Sequence, residues 1–297
     1  MINRALRIPM KRGAKKTSVV GTPRRGVHAR LGSPSPSGNT NAFGRWNRWI
    51  FPLFIILLYT TTLVADSKHP VSPAQIVAEQ AYDLAKSRYE TNQTDAVAAW
   101  QFAQACFEVA DLSDKDSDRA KLGHEGADVC EELLKREPNN AAAHYYLGMN
   151  VGQVAQTKSL GALPLVRQMR KEWEAARGLD EHLDFAGPDR NLGVLYRDAP
   201  GSPLSVGSRT QAIQHMERAV ELAPDYPENY LNLIESDFKW DRMGDAARQN
   251  EKLREILPAA RKKLTGAHWD GPWRDWEERR AAIDAKLSDW RKEHGQP

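Results

Sequence analysis

Residues 223–259 read APDYPENYLNLIESDFKWDRMGDAARQNEKLREILPA, and the spacing inside this stretch decides the fold. Ala223-Pro224-Asp225 and Leu257-Pro258-Ala259 place two prolines 34 residues apart. With Pro227 as position 1, Tyr230 falls at 4, Leu233 at 7, Ile234 at 8, Ala246 at 20, Asn250 at 24, Leu253 at 27 and Pro258 at 32. Large and small side chains alternate where two antiparallel helices of one hairpin must touch. Gly244-Asp245 marks the turn between them, with Asp245 the expected cap of the second helix.

A 34-residue helical hairpin is the unit of the tetratricopeptide (TPR) solenoid, and the same register recurs upstream. Pro138-Asn139-Asn140 precedes a unit that opens at Ala141, with His144 at 4, Leu147 at 7, Gly148 at 8 and Val151 at 11, and that ends near Asp180-Glu181 with Trp173 and Ala176 as its packing pair. The next runs from Ala186-Gly187-Pro188 through Leu192-Gly193 and Tyr196 to Ala212, Met216 and Ala219. Both carry about nine extra residues, around 157–166 and 197–208, beyond the standard unit. The weakest match comes first: Trp100, Ala103 and Phe107, a turn at 113–117, then Gly126, Cys130 and Leu133. Before it, Ser72 caps a helix with Pro73 at its first position. A repeat of this kind cannot bury its face alone, so solenoids need capping helices. The fold expected for 73–294 is therefore all-α, a TPR-like α-α superhelix of about four helical hairpins with N- and C-terminal capping helices.

The charge is distributed unevenly. Residues 1–65 hold 11 Lys and Arg and no Asp or Glu, so the remainder is acidic even though the whole chain is formally +3. The whole-chain charge is thus no argument for nucleic-acid binding. Residues 1–44 are polar and rich in Pro, Gly and Ser, the composition of a disordered segment. Segment 45–65 contains the apolar run Trp49 to Ala65, flanked by Arg45, Arg48 and Asp66. It reads as a signal peptide cut after Ala65 or as a transmembrane anchor with the N-terminus in the cytoplasm; a mitochondrial presequence is a third fate. The expected location is extracytoplasmic (periplasmic or secreted) or single-pass membrane-anchored. Cys106 and Cys130 lie too far from the run for lipid attachment and too far apart along a hairpin for a disulfide, which leaves two buried thiols.

Four stretches carry a family likeness: Ala99-Trp100-Gln101-Phe102-Ala103-Gln104-Ala105; Pro138 to Tyr146; Ser202-Pro203-Leu204-Ser205 before Gln211-Ala212-Ile213; and Pro224-Asp225-Tyr226 to Leu233. In order and spacing they resemble the regulators of microtubule dynamics, and more distantly the TPR subunit of TRAP transporters. Either resemblance implies an interaction role with no catalytic residues. Microtubule association fits poorly with a translocated chain, and the transporter subunit's lipid-site cysteine is missing here.

TPR hairpins bind partners on the concave face, lined by positions 2, 5, 9 and 12 of each first helix. Here that set includes Gln101, Glu108, Tyr145, Met149, Arg190, Arg197, Leu231, Glu235 and Phe238. Arg190 and Arg197 lie two turns apart and are able to grip a carboxylate; the competing reading pairs them with Glu228 or Glu235 as ordinary ion pairs. The Lys/Asn clamp for a chaperone's C-terminus is absent, since Gln101, Ala105, Tyr146 and Gly187 stand in those places. Trp269, Trp273, Trp276 and Trp290 mark the last helix, with Ile283 and Leu287 on the face of Trp276, and read as a cap. No nucleophile motif and no spaced metal ligands occur, and His124, Glu125 and His144 read as ordinary helix residues. The expectation is a non-enzymatic scaffold without cofactor or metal, binding a peptide or protein. A small-molecule ligand remains possible, and a small-ligand-handling periplasmic transport subunit is the alternative.

Overall fold

The computed structural model describes residues 72–158 and 160–294; segments 1–44 and 45–65 lie outside them. Among the described residues ten helices follow one another: α1 (Pro73–Thr91), α2 (Ala96–Leu112), α3 (Asp116–Arg136), α4 (Ala141–Gln156), α5 (Leu163–Leu179), α6 (Leu183–Asp198), α7 (Arg209–Leu222), α8 (Pro227–Lys239), α9 (Met243–Lys263) and α10 (Ala267–Glu293). Among the described residues no strand forms. The fold is an all-α, TPR-like solenoid.

Side-chain caps start four of these helices. Ser72 accepts from the amide of Gln75, Asp95 from Val97 and Ala98, Asn140 from Ala143, and Ser208 from Gln211. Each cap satisfies donors that the first turn leaves without an intrahelical partner. The hairpins are α2/α3, α4/α5, α6/α7 and α8/α9, and the first helices of successive hairpins touch in turn. Packing depends on small residues at the crossings. A Cβ on Gly148 would overlap the Trp173 indole, and one on Gly187 the Tyr145 hydroxyl, so only glycine admits those rings.

The boundaries differ from the sequence reading at three places. Asp245 sits in the first turn of α9 and bonds the Arg242 and Arg248 guanidinium groups rather than capping the helix. Pro258 does not end α9, which runs on to Lys263 with Ala260 and Leu264 buried in the C-terminal core. The third unit starts before Ala186, at Leu183, through a kink in which Asp184, Phe185 and Ala186 all take positive φ (49°, 55° and 60°).

The C-terminal helix does more than cap an end. Trp273, Trp276, Ile283 and Leu287 of α10 are buried with Leu231, Ile234 and Leu253 of the last hairpin, and α10 also touches α1. The first and last helices of the described chain therefore meet, and the concave side is partly roofed. Cys106 and Cys130 are both buried free thiols. Burial pushes both well above the usual thiol range, which makes them poor nucleophiles.

Candidate functional site

Where α10 and α1 meet above the first helices, they leave a cavity of about 270 Å³. Its wall draws on six elements: α1 (Val77, Ala81), α2 (Phe107, Glu108), α4 (Tyr145, Tyr146, Met149), the kink of α6 (Asp184, Phe185), the entry to α8 (Tyr226, Glu228) and the start of α10 (His268, Trp269, Trp276). Seven of the lining residues are Phe, Tyr or Trp. Phe185 stacks on Tyr226 with ring centroids 4.4 Å apart, and Trp269 meets both rings edge-on. Phe185 is nevertheless 41% exposed, because the left-handed kink turns it away from the hairpin core. Non-glycine residues in that conformation are strained and persist only where surrounding contacts hold them.

Arg190 supplies the hold. It is 1% exposed and donates to the Phe185 carbonyl at 2.9 Å, to the Asp184 carbonyl at 3.0 Å, to the Asp184 carboxylate at 2.7 Å and to Asn229 Oδ1 at 3.2 Å. Its guanidinium lies 5.0 Å from the Tyr226 ring centre. Burial works against the charge, but Asp184 and the surrounding hydroxyl and carboxylate groups keep Arg190 protonated. Tyr145 completes the cluster by donating to Asp184 Oδ2 at 2.5 Å. Burial, then the Asp184 charge, push that phenol well above its ordinary range, so it stays protonated, donating to Asp184 and accepting from Arg190 Nη2 at 3.5 Å.

Three carboxylates face the cavity, and they are balanced differently. Asp184 is held by Arg190. Glu228 is 2% exposed and accepts from Arg279 Nη1 at 2.7 Å and from Trp276 Nε1 at 2.5 Å. Burial raises its pKa, but Arg279 outweighs that and holds it well below the usual carboxylate range. Glu108 accepts from the Gln104 amide at 2.8 Å, and no described cation is bonded to it. Burial is the largest influence on Glu108 and raises its pKa; Gln104 opposes this, and Asp184 and Asp111 add to it.

The residues expected on the concave face divide into two groups. Glu108, Tyr145 and Met149 line the cavity, whereas Gln101 lies aside and accepts from Arg88 of α1. Arg190 stands behind the wall as a structural cation, so its guanidinium is not open to a partner's carboxylate. Arg197 pairs with Asp198 at 2.7 Å and with Glu235 at 3.7 Å, the ordinary pairing that the sequence left open; the two arginines form no common clamp. Leu231, Glu235 and Phe238 lie beneath α10: Leu231 is fully buried beside Trp276, Glu235 accepts from Arg279 Nε at 2.7 Å, and Lys286 sits 4.3 Å above the Phe238 ring centre. These three are corrected from an open groove to an internal interface, because the apolar face of α10 needs a partner and α8 provides it.

The wall residues that the sequence reading passed over are Asp184, Phe185, Tyr226 and Trp269. Asp184 and Phe185 fell in the gap before the third unit, with no glycine to flag a kink, and Trp269 was read only as part of the cap. His144 and Glu172, 2.6 Å apart, tie α4 to α5, and His215 and Asp189, also 2.6 Å apart, tie α7 to α6. Among the described residues no group of three or more His, Cys, Asp or Glu is arranged to hold a metal ion.

Residues 64–177 match the family model "Regulator of microtubule dynamics protein 1-3". This chain is a TPR-like helical repeat protein resembling that family. The match covers α1 and the first two hairpins, less than half of the chain. Among solved structures, the chain is similar to TTC0263, a thermophilic TPR protein of Thermus thermophilus, at 18% identity and a TM-score of 0.52, over 71% of this chain and 94% of that one. It is also similar to the MamA RS-1 ArsTM double mutant, at 20% identity and a TM-score of 0.43, over 61% of this chain and 86% of that one. A search of curated protein sequences finds no match. At 18% identity the likeness to TTC0263 speaks for the fold alone.

Proposed function

We propose that this TPR-like protein is a non-enzymatic scaffold, exported or membrane-anchored through residues 45–65, that takes a segment of a peptide or protein partner into the roofed cavity on its concave side. The observation that carries this reading is the wall itself. Aromatic rings from separate elements converge on one space, with Phe185 and Trp269 partly exposed there, while α10 packs over the concave side of α8. A space of about 270 Å³ admits side chains or a chain end and excludes a docked helix, whose cylinder is roughly 10 Å across. The 17-residue apolar run with Arg45 and Arg48 before it supports passage into or across a membrane. No helix among the described residues is long and apolar enough to cross a membrane.

A photoreactive residue placed at His268, on the cavity rim, is expected to cross-link a captured partner. One placed at Lys135, on the outer surface of α3, is not. Cross-links confined to Lys135 would move the binding site to the outer face. Alkaline extraction of membranes with N-terminal sequencing of the mature protein tests the anchor against the cleaved signal. The same cavity also favours a second reading, a small-ligand-handling transport subunit, because its volume lies near the lower end of ligand pockets, roughly 300 Å³. A small molecule that competes with the His268 cross-link would favour that subunit.

A further inference from the structure

The cavity's charge balance points to the chemistry of its occupant. Three carboxylates, Glu108, Asp184 and Glu228, reach the wall, and among the described residues lining it none is Lys or Arg. Arg190 and Arg279 stand outside the lining and neutralise Asp184 and Glu228 from behind. Glu108 has only the Gln104 amide, although it sits beside Phe107, Tyr145 and Tyr146. A carboxylate in such surroundings is costly unless a cation joins it. The partly exposed rings of Phe185 and Trp269 supply the other half of a cation site, because aromatic quadrupoles attract ammonium and guanidinium groups once water is excluded.

We propose that the cavity receives a basic side chain of an extended partner peptide, with Glu108 as its counter-ion and the Phe185 and Trp269 rings along its alkyl stem and charged head. This rests on the cavity being the binding site and adds the class of partner. A lysine stem fits the geometry: its methylenes lie along Phe185 and Trp269, and its head reaches Glu108. A neutral segment would leave Glu108 without a counter-charge, and an acidic one would add like charge beside it.

The test is calorimetric titration of the full chain with a five-residue capped peptide carrying one central lysine, and with its norleucine analogue, which keeps the stem and removes the charge. The lysine peptide is expected to bind at least about tenfold more tightly, the size of a desolvated cation–π contact with an ion pair. Glu108→Gln should abolish that preference, and Glu108→Asp should keep most of it. Trp269→Ala should weaken both peptides, and thermal unfolding of each variant separates lost binding from lost folding. Equal binding of the two peptides, or a lysine preference that survives Glu108→Gln, overturns the cation site. If both peptides bind equally and Trp269→Ala weakens both, the cavity stands as the site and only its charge preference falls. Peptide binding indifferent to both Trp269→Ala and Glu108→Gln rejects the cavity and the cation site together.

Discussion

On α4 the side chains turned toward the solenoid's inner face are Tyr145 and Met149, both lining the cavity. On α8 the matching side chains are Leu231 and Glu235, with Glu228 one turn before, and all three lie against α10. The two hairpins share a backbone plan and use opposite chemistry at the axis. Hairpin α4/α5 is locked internally by an aromatic ring over a glycine, and its inner face lines the cavity. Hairpin α8/α9 carries charge on that face, and charge in a closed fold needs a fixed counter-charge; Arg279 of α10 provides it to Glu228, Glu235 and Asn232 at once. The lesson is that the polarity of a first helix decides whether its concave face lines a cavity or is covered by the protein's own cap.

The comparison is broken most severely at the aromatic lock. Trp173 is 1% exposed, fills the space above Gly148, and donates to the Tyr145 carbonyl at 3.2 Å. Trp173→Ala is expected to cost about 4 kcal/mol, the range for truncating a buried large aromatic residue, and to lower the urea midpoint without changing the order of unfolding. Gly148→Ala pushes a methyl group into the indole and should cost about 2 kcal/mol. A loss below about 1 kcal/mol for Trp173→Ala would mean that α4 and α5 are held by something other than this ring.

The ionic seam comes next. Arg279→Met removes the counter-charge of buried Glu228 and should cost about 3 kcal/mol. The double change Arg279→Met with Glu228→Gln should be more stable than Arg279→Met alone, because no buried charge is then orphaned. The seam also has a pH signature. The Glu228 pKa in the fold lies below its ordinary value of 4.5, so its contribution is complete above about pH 4.5 and is lost as pH falls below it. Chemical denaturation of Glu228→Gln across pH 3 to 7 (about the range of Glu titration) should show a shallower acid slope than the parent chain. Equal slopes would remove Glu228 from the seam.

How much of this was readable follows the same division. The hairpins were legible because Leu147-Gly148, Leu192-Gly193 and Leu233-Ile234 recur in one register, and such pairs report local packing that sequence spacing encodes directly. Closure of the concave side was not legible. It depends on Arg279, one of two adjacent arginines in a highly charged helix, reaching three residues between 44 and 51 positions earlier, and nothing local distinguishes it from a solvated arginine. The kink at Asp184, Phe185 and Ala186 was hidden for another reason: side-chain bonds from Arg190, five and six residues later in α6, hold φ angles that those residue types rarely take. The cavity's polar edge therefore came from the structure, although Tyr145, Met149 and Glu108 were placed on that face from register alone.

The smallest effect tests whether all the charge at the α8 end is there to bind α10. Asp237 is 1% exposed near the end of α8, its Oδ1 has no hydrogen bond, and Arg242 Nε lies 3.4 Å away. Burial raises its pKa from 3.8 to about 6; Arg242 and Arg248 oppose this, and Asp245 and Glu217 add to it. The sign is opposite to that of Glu228. A folded value above the unfolded one means that the protonated carboxyl is the better guest, so stability falls as pH rises from 3.8 through about 6. Asp237→Asn cannot ionise and should gain about 1 kcal/mol at pH 7 relative to the parent chain. That gain should vanish near pH 4, where Asp237 is protonated in the fold. Urea unfolding of both chains at the two pH values measures the difference. If Asp237→Asn is less stable at pH 7, the Arg242 pair outweighs burial; Asp237 then belongs with Glu228 among carboxylates kept charged by a fixed arginine, and the ionic seam extends past α10 into the turn that joins α8 to α9.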